Sequence, residues 1–324
     1  MKALIATGHG PLKDNLEVTD LPIPVPGAGQ MLVKIAAASI NATDVVVVTG
    51  GYQDIFPITF PYVPGNDFAG TVTAIGPGVS AYQVGDEVFG QAMPHQLRAI
   101  ASDTRPSVST GALAEYAVFE TDTPLIAHRP FSVSVEHAAA LAIVGTAARA
   151  VMKTANIMSG ETVFVIGATG GVGTALVPLL VAAGARITAT AGSAADGELL
   201  RHLGVHEVVG FDAAGYPDQV DAVFNLVLPA DRLPSAGASL RPGGRIVSII
   251  FPAPSLEQLG RDDVDIHFVM DMEGTFGGMQ DVADAAASGL LFPTIAAVHS
   301  LEDSVAAVVA QSRAARPGKV VVTM

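Results

Sequence analysis

Residues 162–173 read TVFVIGATGGVG. Thr162–Ile166 is a β-branched and aromatic run of strand length, and Gly167, Gly170 and Gly173 follow it at three-residue spacing. The apolar stretch GVGTALVPLLVAAG (171–184) then carries helical spacing. A strand that turns through glycine into a helix exposes backbone N–H groups at the positive end of the helix dipole, which is where a pyrophosphate binds. The spacing G-x-x-G-x-x-G is one residue looser than G-x-G-x-x-G, and a glycine triplet alone is weak evidence. Placed between a strand and a helix, Gly167, Ala168, Thr169, Gly170, Gly171, Val172 and Gly173 form a candidate dinucleotide cradle. The alternative is a tight packing turn without a ligand.

Downstream of the loop the alternation continues. RITATA (186–191) reads as a strand, ADGELLRHLG (195–204) as a helix, and HEVVGF (206–211), DAVFNLV (221–227), GRIVSII (244–250) and VDIHFVM (264–270) as strands. Strands alternating with helices predict an α/β fold of the Rossmann type, a doubly wound parallel sheet. Ligands of such sheets sit at the carboxyl ends of the strands. That makes Asn225 and the Ile250–Phe251 stretch candidate cofactor contacts. An NAD site places Asp or Glu near the end of the second strand, for the ribose hydroxyls. Here that end reads Ala191-Gly192-Ser193. The missing carboxylate leaves room for a 2′-phosphate and favours NADP, with Ser193 as a donor and Arg201 or His202 as charge partners.

Upstream, the first ~125 residues are rich in Gly and Pro and carry short β-type runs: MKALIAT, QMLVKIAAASI, FAGTVTAIG, DEVFG and LAEYAVF. They predict a β-rich, partly barrel-like unit. SVSVEHAAALAIVGTAARAVMKTA (132–155) is then an Ala-rich helix opened by Ser and Glu in a capping arrangement. Beyond the Rossmann strands, GMQDVADAAASG and SLEDSVAAVVAQSRAA read as helices, FPTIAAVHSL as extended and PGKVVVTM as a closing strand. Within SINATDVVVVTGGY (39–52) the four valines read as strand core between polar ends.

Composition excludes several classes. There are no cysteines, hence no disulfide, thiolate nucleophile or cysteine metal site. A formal charge of −14 with no basic cluster argues against nucleic acid. The N-terminus lacks the apolar core of a signal peptide, and no apolar run approaches the ~18–20 residues that span a bilayer. A cytoplasmic protein without a membrane partner is expected.

The order of these pieces resembles the medium-chain dehydrogenase/reductase superfamily. The resemblance covers essentially the whole chain and rests on VPGNDFAGTVTAIGPGV followed by VGDEVFG, on the Gly167–Gly173 loop, and on SRAARPGKVVV. It implies a GroES-like domain over residues 1–126, completed by 270–324, and a Rossmann domain over 127–269. A homodimer is implied too, with VDIHFVM as an edge strand at its interface.

The zinc alcohol dehydrogenases of this superfamily carry Cys where this chain has Asn41, and G-H-E where it has Gly65-Asn66-Asp67. Their third zinc ligand aligns with about Ala142, and their four-cysteine lobe with the cysteine-free stretch 91–110. No metal site is therefore expected. The remaining pattern resembles the zinc-independent quinone oxidoreductases (zeta-crystallin type) and the enoyl reductases. Quinone oxidoreductases carry N-x-x-D about eleven residues before a Tyr, which Asn41, Asp44 and Tyr52 match. The resemblance places Asn41 beside the nicotinamide ribose, gives Tyr52 as a proton donor, and aligns Thr43 with a proton-relaying hydroxyl. It also places Thr146 near the nicotinamide. Asp196 and Phe211 align where quinone reductases commonly offer Lys and Tyr to the 2′-phosphate, so Arg201, Arg313 or Lys319 would have to supply charge.

The implied chemistry turns on the missing metal. Reducing a ketone creates an alkoxide that zinc normally stabilises. Quinones and α,β-unsaturated carbonyls delocalise the incoming electrons themselves, leaving the protein to orient the ring and deliver a proton. The expected activity is NADPH-dependent hydride transfer to such an acceptor. A carbonyl reductase and a non-catalytic, crystallin-like cofactor-binding protein are the alternatives. Tyr52, Thr43, Asn41 and Thr146 each retain a purely structural reading: pocket wall, local hydrogen bond, strand end and helix back-bonding respectively.

Overall fold

The computed structural model describes residues 1–54, 58–92, 111–271, 274–313 and 317–324, with the backbone alone at Arg313. The chain divides into two compact units, Val144–Asp271 and the remainder, Met1–Ile143 with Met272–Met324.

The Val144–Asp271 unit is built on a parallel sheet in which every neighbouring pair runs the same way. Its strands are β8 (Thr162–Ile166), β9 (Arg186–Thr190), β10 (Glu207–Val209), β11 (Val220–Asn225), β12 (Leu240–Ser248) and β13 (Asp265–Phe268). Their order is β10-β9-β8-β11-β12-β13. The order reverses between β8 and β11, which sets their carboxyl ends at the topological switch point where α/β sheets bind ligands. Continuous apolar runs suit strands covered on both faces, and Phe164, Ile166, Val223 and Ile246 are each fully buried.

At the amino ends of these strands, charges tie the sheet together. Arg245 and Glu161 make two contacts, at 3.1 and 2.5 Å. Asp221 accepts from Arg241 at 2.7 Å and from both the N–H and hydroxyl of Thr162. The helix α4 (Gly171–Ala182) packs behind the glycine loop.

The other unit carries a sheet ordered β14-β15-β3-β4-β5-β7, with β6 also paired to β3. These are β3 (Gln30–Ile40), β4 (Asp67–Ile75), β5 (Glu87–Gln91), β6 (Tyr116–Glu120), β7 (Ile126–His128), β14 (Ile295–Ser300) and β15 (Lys319–Thr323). β1 (Lys2–Ala6) and β2 (Leu16–Asp20) form a separate hairpin. β15 pairs antiparallel with β3, so the C-terminal segment supplies a strand to the first unit's sheet.

Two expectations are corrected. Val45–Val48 do not form a strand: residues Ala42–Thr49 are the helix α2. β-branched residues favour strands, but the local signals override that preference. Asn41 stands at the N-cap with Asp44 reaching back to its N–H at 2.7 Å, and Gly50 closes the helix at φ 87°. The second correction concerns length. The helix α3 (Val135–Ala155) is long and apolar enough by composition to cross a bilayer, although 61% of its most apolar window is buried inside the protein. Its start is capped by Ser134, which accepts from the N–H of His137.

Gly173 fixes how closely α4 approaches the loop. A Cβ there would lie 2.4–2.5 Å from the Ala168 backbone, which cannot yield without moving the helix. Gly173→Ala is expected to destabilise the protein by about 1–3 kcal/mol, the range for forced overpacking, read as the loss of unfolding free energy in denaturant. An unchanged midpoint would mean that the helix shifts freely.

Candidate functional site

The glycine loop has the geometry of an anion cradle. Gly167 adopts φ +91°, open only to glycine without strain, and donates its N–H to Thr190 Oγ1 at 2.9 Å, which ties the loop to β9. Thr174 makes the first helical bond back to Gly170. The N–H groups of Gly171, Val172 and Gly173 therefore precede the first intrahelical donor, Thr174, and are left without a helical acceptor at the positive end of α4. A Cβ on Gly170 would meet nothing closer than 3.5 Å, so this surface is open to an incoming group. Ala168 is buried beneath, and Thr169 is half-buried. These residues fit a dinucleotide pyrophosphate.

Asn225 and Phe251 come together at the carboxyl ends of β11 and β12, around a cavity of about 90 Å³ also lined by Leu228, Ser248 and Pro252. The Asn225 side chain is fully occupied there. Its Oδ1 accepts from Val227 and Leu228, and its Nδ2 donates to Leu228 O and Ser248 Oγ. It shapes the loop after β11 and has no group left to offer a ligand. Phe251 is 46% exposed. Thr146 is buried at 2% exposure.

At the end of β9, Ser193 caps the helix α5 (Ala194–His202), accepting from Asp196 N–H at 3.1 Å. The Asp196 carboxylate curls back to within 3.5 Å of where a Cβ on Gly192 would stand. The absence of an acid, read from Ala191-Gly192-Ser193 alone, is thus made good from the first turn of α5. Arg201 is exposed and lies along α5 beside Gly197. The Arg313 side chain lies outside the described residues.

In the first unit the residues around Asn41 form a dry polar cluster. Lys319 is 4% exposed and Asp67 fully buried. The Lys319 ammonium donates to Asn41 Oδ1, to Asp67 Oδ2 at 3.1 Å and to Ile40 O at 3.2 Å. Asp67 Oδ2 also accepts from Ser39 Oγ at 2.5 Å and Asn41 Nδ2 at 2.9 Å, while Oδ1 takes the Ile143 N–H at 2.8 Å. Lys319 has no hydrogen left for a phosphate, which corrects its place among the candidate cations.

The cluster also answers whether these positions suit a metal. An ammonium already holds the oxygens that a divalent ion would need, and the side chains at 41 and 66 are amides; these residues do not fit a zinc site. Among the described residues no group of three or more His, Asp or Glu side chains could hold a metal ion. Sequence reading misses Ser39 as a member of this group, since a lone serine inside an apolar strand carries no signal.

Thr43 is half-buried in the first turn of α2, and its hydroxyl has no partner among the described residues. Tyr52 is half-buried against the core of this unit. Asp44 is the titratable group that holds the region. It takes the N–H of Asn41 at 2.7 Å and that of Gly65 at 2.9 Å.

Burial pushes the Asp44 carboxyl up to about 6; its two backbone N–H donors and Lys319 oppose the shift, and Asp67 adds to it. A carboxyl raised in the folded state binds more protons folded than unfolded. Its stabilising contribution is therefore complete below the unfolded value near 4 and is lost as pH rises through about 6. The protein should gain about 1 kcal/mol from this group between pH 7.5 and 5. The measurement is the unfolding free energy of the native chain minus that of Asp44→Asn across this range. A flat difference would sink the assignment.

Comparison with known proteins finds matches in both units. A model of the alcohol dehydrogenase GroES-like domain matches residues 27–129, and one described as zinc-binding dehydrogenase matches 203–322. The quinone oxidoreductase of Mus musculus is 34% identical over 203 residues, 62% of this chain and 56% of the mouse protein. The chain thus spans just over half the length of that relative. The solved CurK enoyl reductase superposes with a TM-score of 0.82 at 27% identity, covering 100% of this chain and 99% of its own. Mycobacterial Rv1454c, solved with NADPH, superposes with a TM-score of 0.85 at 25% identity over 100% of both chains. Similarity to these proteins runs through both units, and the chain belongs to the medium-chain dehydrogenase/reductase superfamily, in its quinone oxidoreductase and enoyl reductase branch.

Proposed function

We propose that this chain is an NADPH-dependent oxidoreductase that transfers hydride, without a metal, to a quinone or to the C=C bond of an α,β-unsaturated carbonyl. It would act as a cytoplasmic homodimer. The observation that carries the reaction class is the Lys319 ammonium bonded to Asn41, where zinc enzymes of the superfamily keep a cysteine ligand, and to Asp67, next to the Asn66 that stands in place of their histidine. With no Lewis acid to stabilise an alkoxide, the electrons of the hydride must be absorbed by the substrate, which conjugated acceptors do.

The reduced nicotinamide supplies the hydride when bound. The Gly171–Gly173 N–H groups hold the pyrophosphate, and Asn41 contacts the nicotinamide ribose. Bound there, the nicotinamide would deliver hydride to the conjugated carbon of the acceptor, whose electron pair would move to its oxygen as an enolate or phenolate. Tyr52 then hands its hydroxyl proton to the enolate, and Thr43 relays a proton to the tyrosine. Asn225 and Phe251 keep their cavity shaped for the cofactor.

Arg201, exposed in the last turn of α5 with its guanidinium reaching back beside Gly197, is the charge partner for a 2′-phosphate, with Ser193 as a second donor. One observation favours a second reading. The Asp196 carboxylate near Gly192 suits a free ribose hydroxyl and repels a phosphate, which points to NADH.

Cofactor titrations followed by fluorescence separate these readings. If the phosphate is bound, Arg201→Ala weakens NADPH by about tenfold and leaves NADH unchanged. Tighter binding of NADH than NADPH by the native protein, reversed in Asp196→Lys, would establish the second reading instead. For the proton donor, Tyr52→Phe should lower turnover of an enone by about 10²-fold with cofactor affinity unchanged. Full turnover in this variant would leave Tyr52 as wall.

A further inference from the structure

Asn41 has an unusual environment for an amide: a full charge at each end. Its Oδ1 faces the Lys319 ammonium and its Nδ2 faces the Asp67 carboxylate at 2.9 Å. An ammonium only donates and a carboxylate only accepts, so just one of the two flip states of the amide is allowed. Lys319 and Asp67 are in turn held in place. The ammonium spends its hydrogens on Ile40 O, Asn41 Oδ1 and Asp67 Oδ2, and Ser39 and Ile143 pin the carboxylate. One Nδ2 hydrogen of Asn41 goes to Asp67, and the other has no partner among the described residues. The residue keeps 8% of its surface exposed.

We propose that Lys319 and Asp67 are positioning residues that lock the Asn41 amide in one flip state and polarise it, so that its second Nδ2–H is a fixed, strengthened donor to an oxygen of the bound cofactor. The inference rests on the reading of Asn41 as a cofactor contact. A positive charge on the carbonyl oxygen and a negative charge on one N–H both draw the amide toward its charge-separated form, which strengthens the remaining N–H. Without the pair the amide flips freely, and in half of its orientations it presents Oδ1 to the same acceptor.

A double-mutant cycle tests this by NADPH titration. Replacing a buried ion pair by apolar residues of similar size is often tolerated, whereas removing one partner strands a charge. The pair is therefore removed together, as Lys319→Met with Asp67→Leu. Asn41→Ala in the native protein should weaken NADPH by about tenfold. The neutral pair should weaken it to a similar extent, read well below its own unfolding temperature, which falls because the Ser39 hydroxyl and the Ile143 N–H lose their acceptor. Adding Asn41→Ala to the neutral pair should then cost nothing further. A second full tenfold loss in that background would overturn the positioning role while leaving the contact intact. An unchanged affinity in Asn41→Ala alone would overturn the contact and the inference together. If native protein binds no NADPH, the reading of function fails as well.

Should the neutral pair not fold, Lys319→Arg keeps the charge but cannot point three donors as an ammonium does. It should hold the fold and still lose NADPH affinity several-fold. Native affinity in Lys319→Arg would overturn the inference.

Discussion

The first unit depends on one buried ion pair. Lys319 and Asp67 lie almost out of contact with water, where separating either from its partners would cost several kcal/mol. Such a pair is tolerated only when each remaining donor and acceptor is met, and that demand reaches four segments at once. The end of β3 must bring Ser39 and the Ile40 carbonyl, the start of α2 must bring the Asn41 amide, β4 must begin at Asp67, and β15 must begin at Lys319. The polarity that sets the α2 N-terminus thus comes from the sheet, and Asp44 extends it to the Gly65 turn, where φ is +107° and a Cβ would strike Leu113.

In the parallel sheet the charges are divided differently. Ion pairs gather at the amino ends of the strands, where Arg245 meets Glu161 and Arg241 meets Asp221. The carboxyl ends carry glycine, amide and hydroxyl groups: Gly167, Asn225 and Ser248. An end built from neutral groups and free N–H donors can accept an anionic ligand without first breaking a salt bridge. Asn225 illustrates the distinction between lining a site and contacting its ligand, since all its hydrogen bonds turn inward to the loop it holds.

How much of this is legible in the sequence varies with the range of the interactions. The glycine loop and the βαβ alternation are local patterns, and the strands read from them appear in the sheet. The α2 segment misleads because four valines dominate the strand signal, while the decisive Asn41–Asp44 bond and Gly50 turn flank the run. Ser39 and Lys319 are illegible as partners of Asp67. Their meeting is set by strand register across 28 and 252 residues, which no spacing rule captures. Asp196 lies beyond the strand end in the sequence, yet a helix that starts at Ala194 turns it back toward Gly192.

That long separation has a consequence for synthesis. Asp67 emerges from the ribosome 252 residues before the lysine that neutralises it. At about 5–20 residues per second, the carboxylate waits roughly 10–50 s. The β3–β4 hairpin is made early, but its polar end stays hydrated until β15 is available. The parallel sheet lies wholly within the intervening chain and is complete before that happens. Order of manufacture therefore reverses order in sequence: the unit that begins first is the one that finishes last.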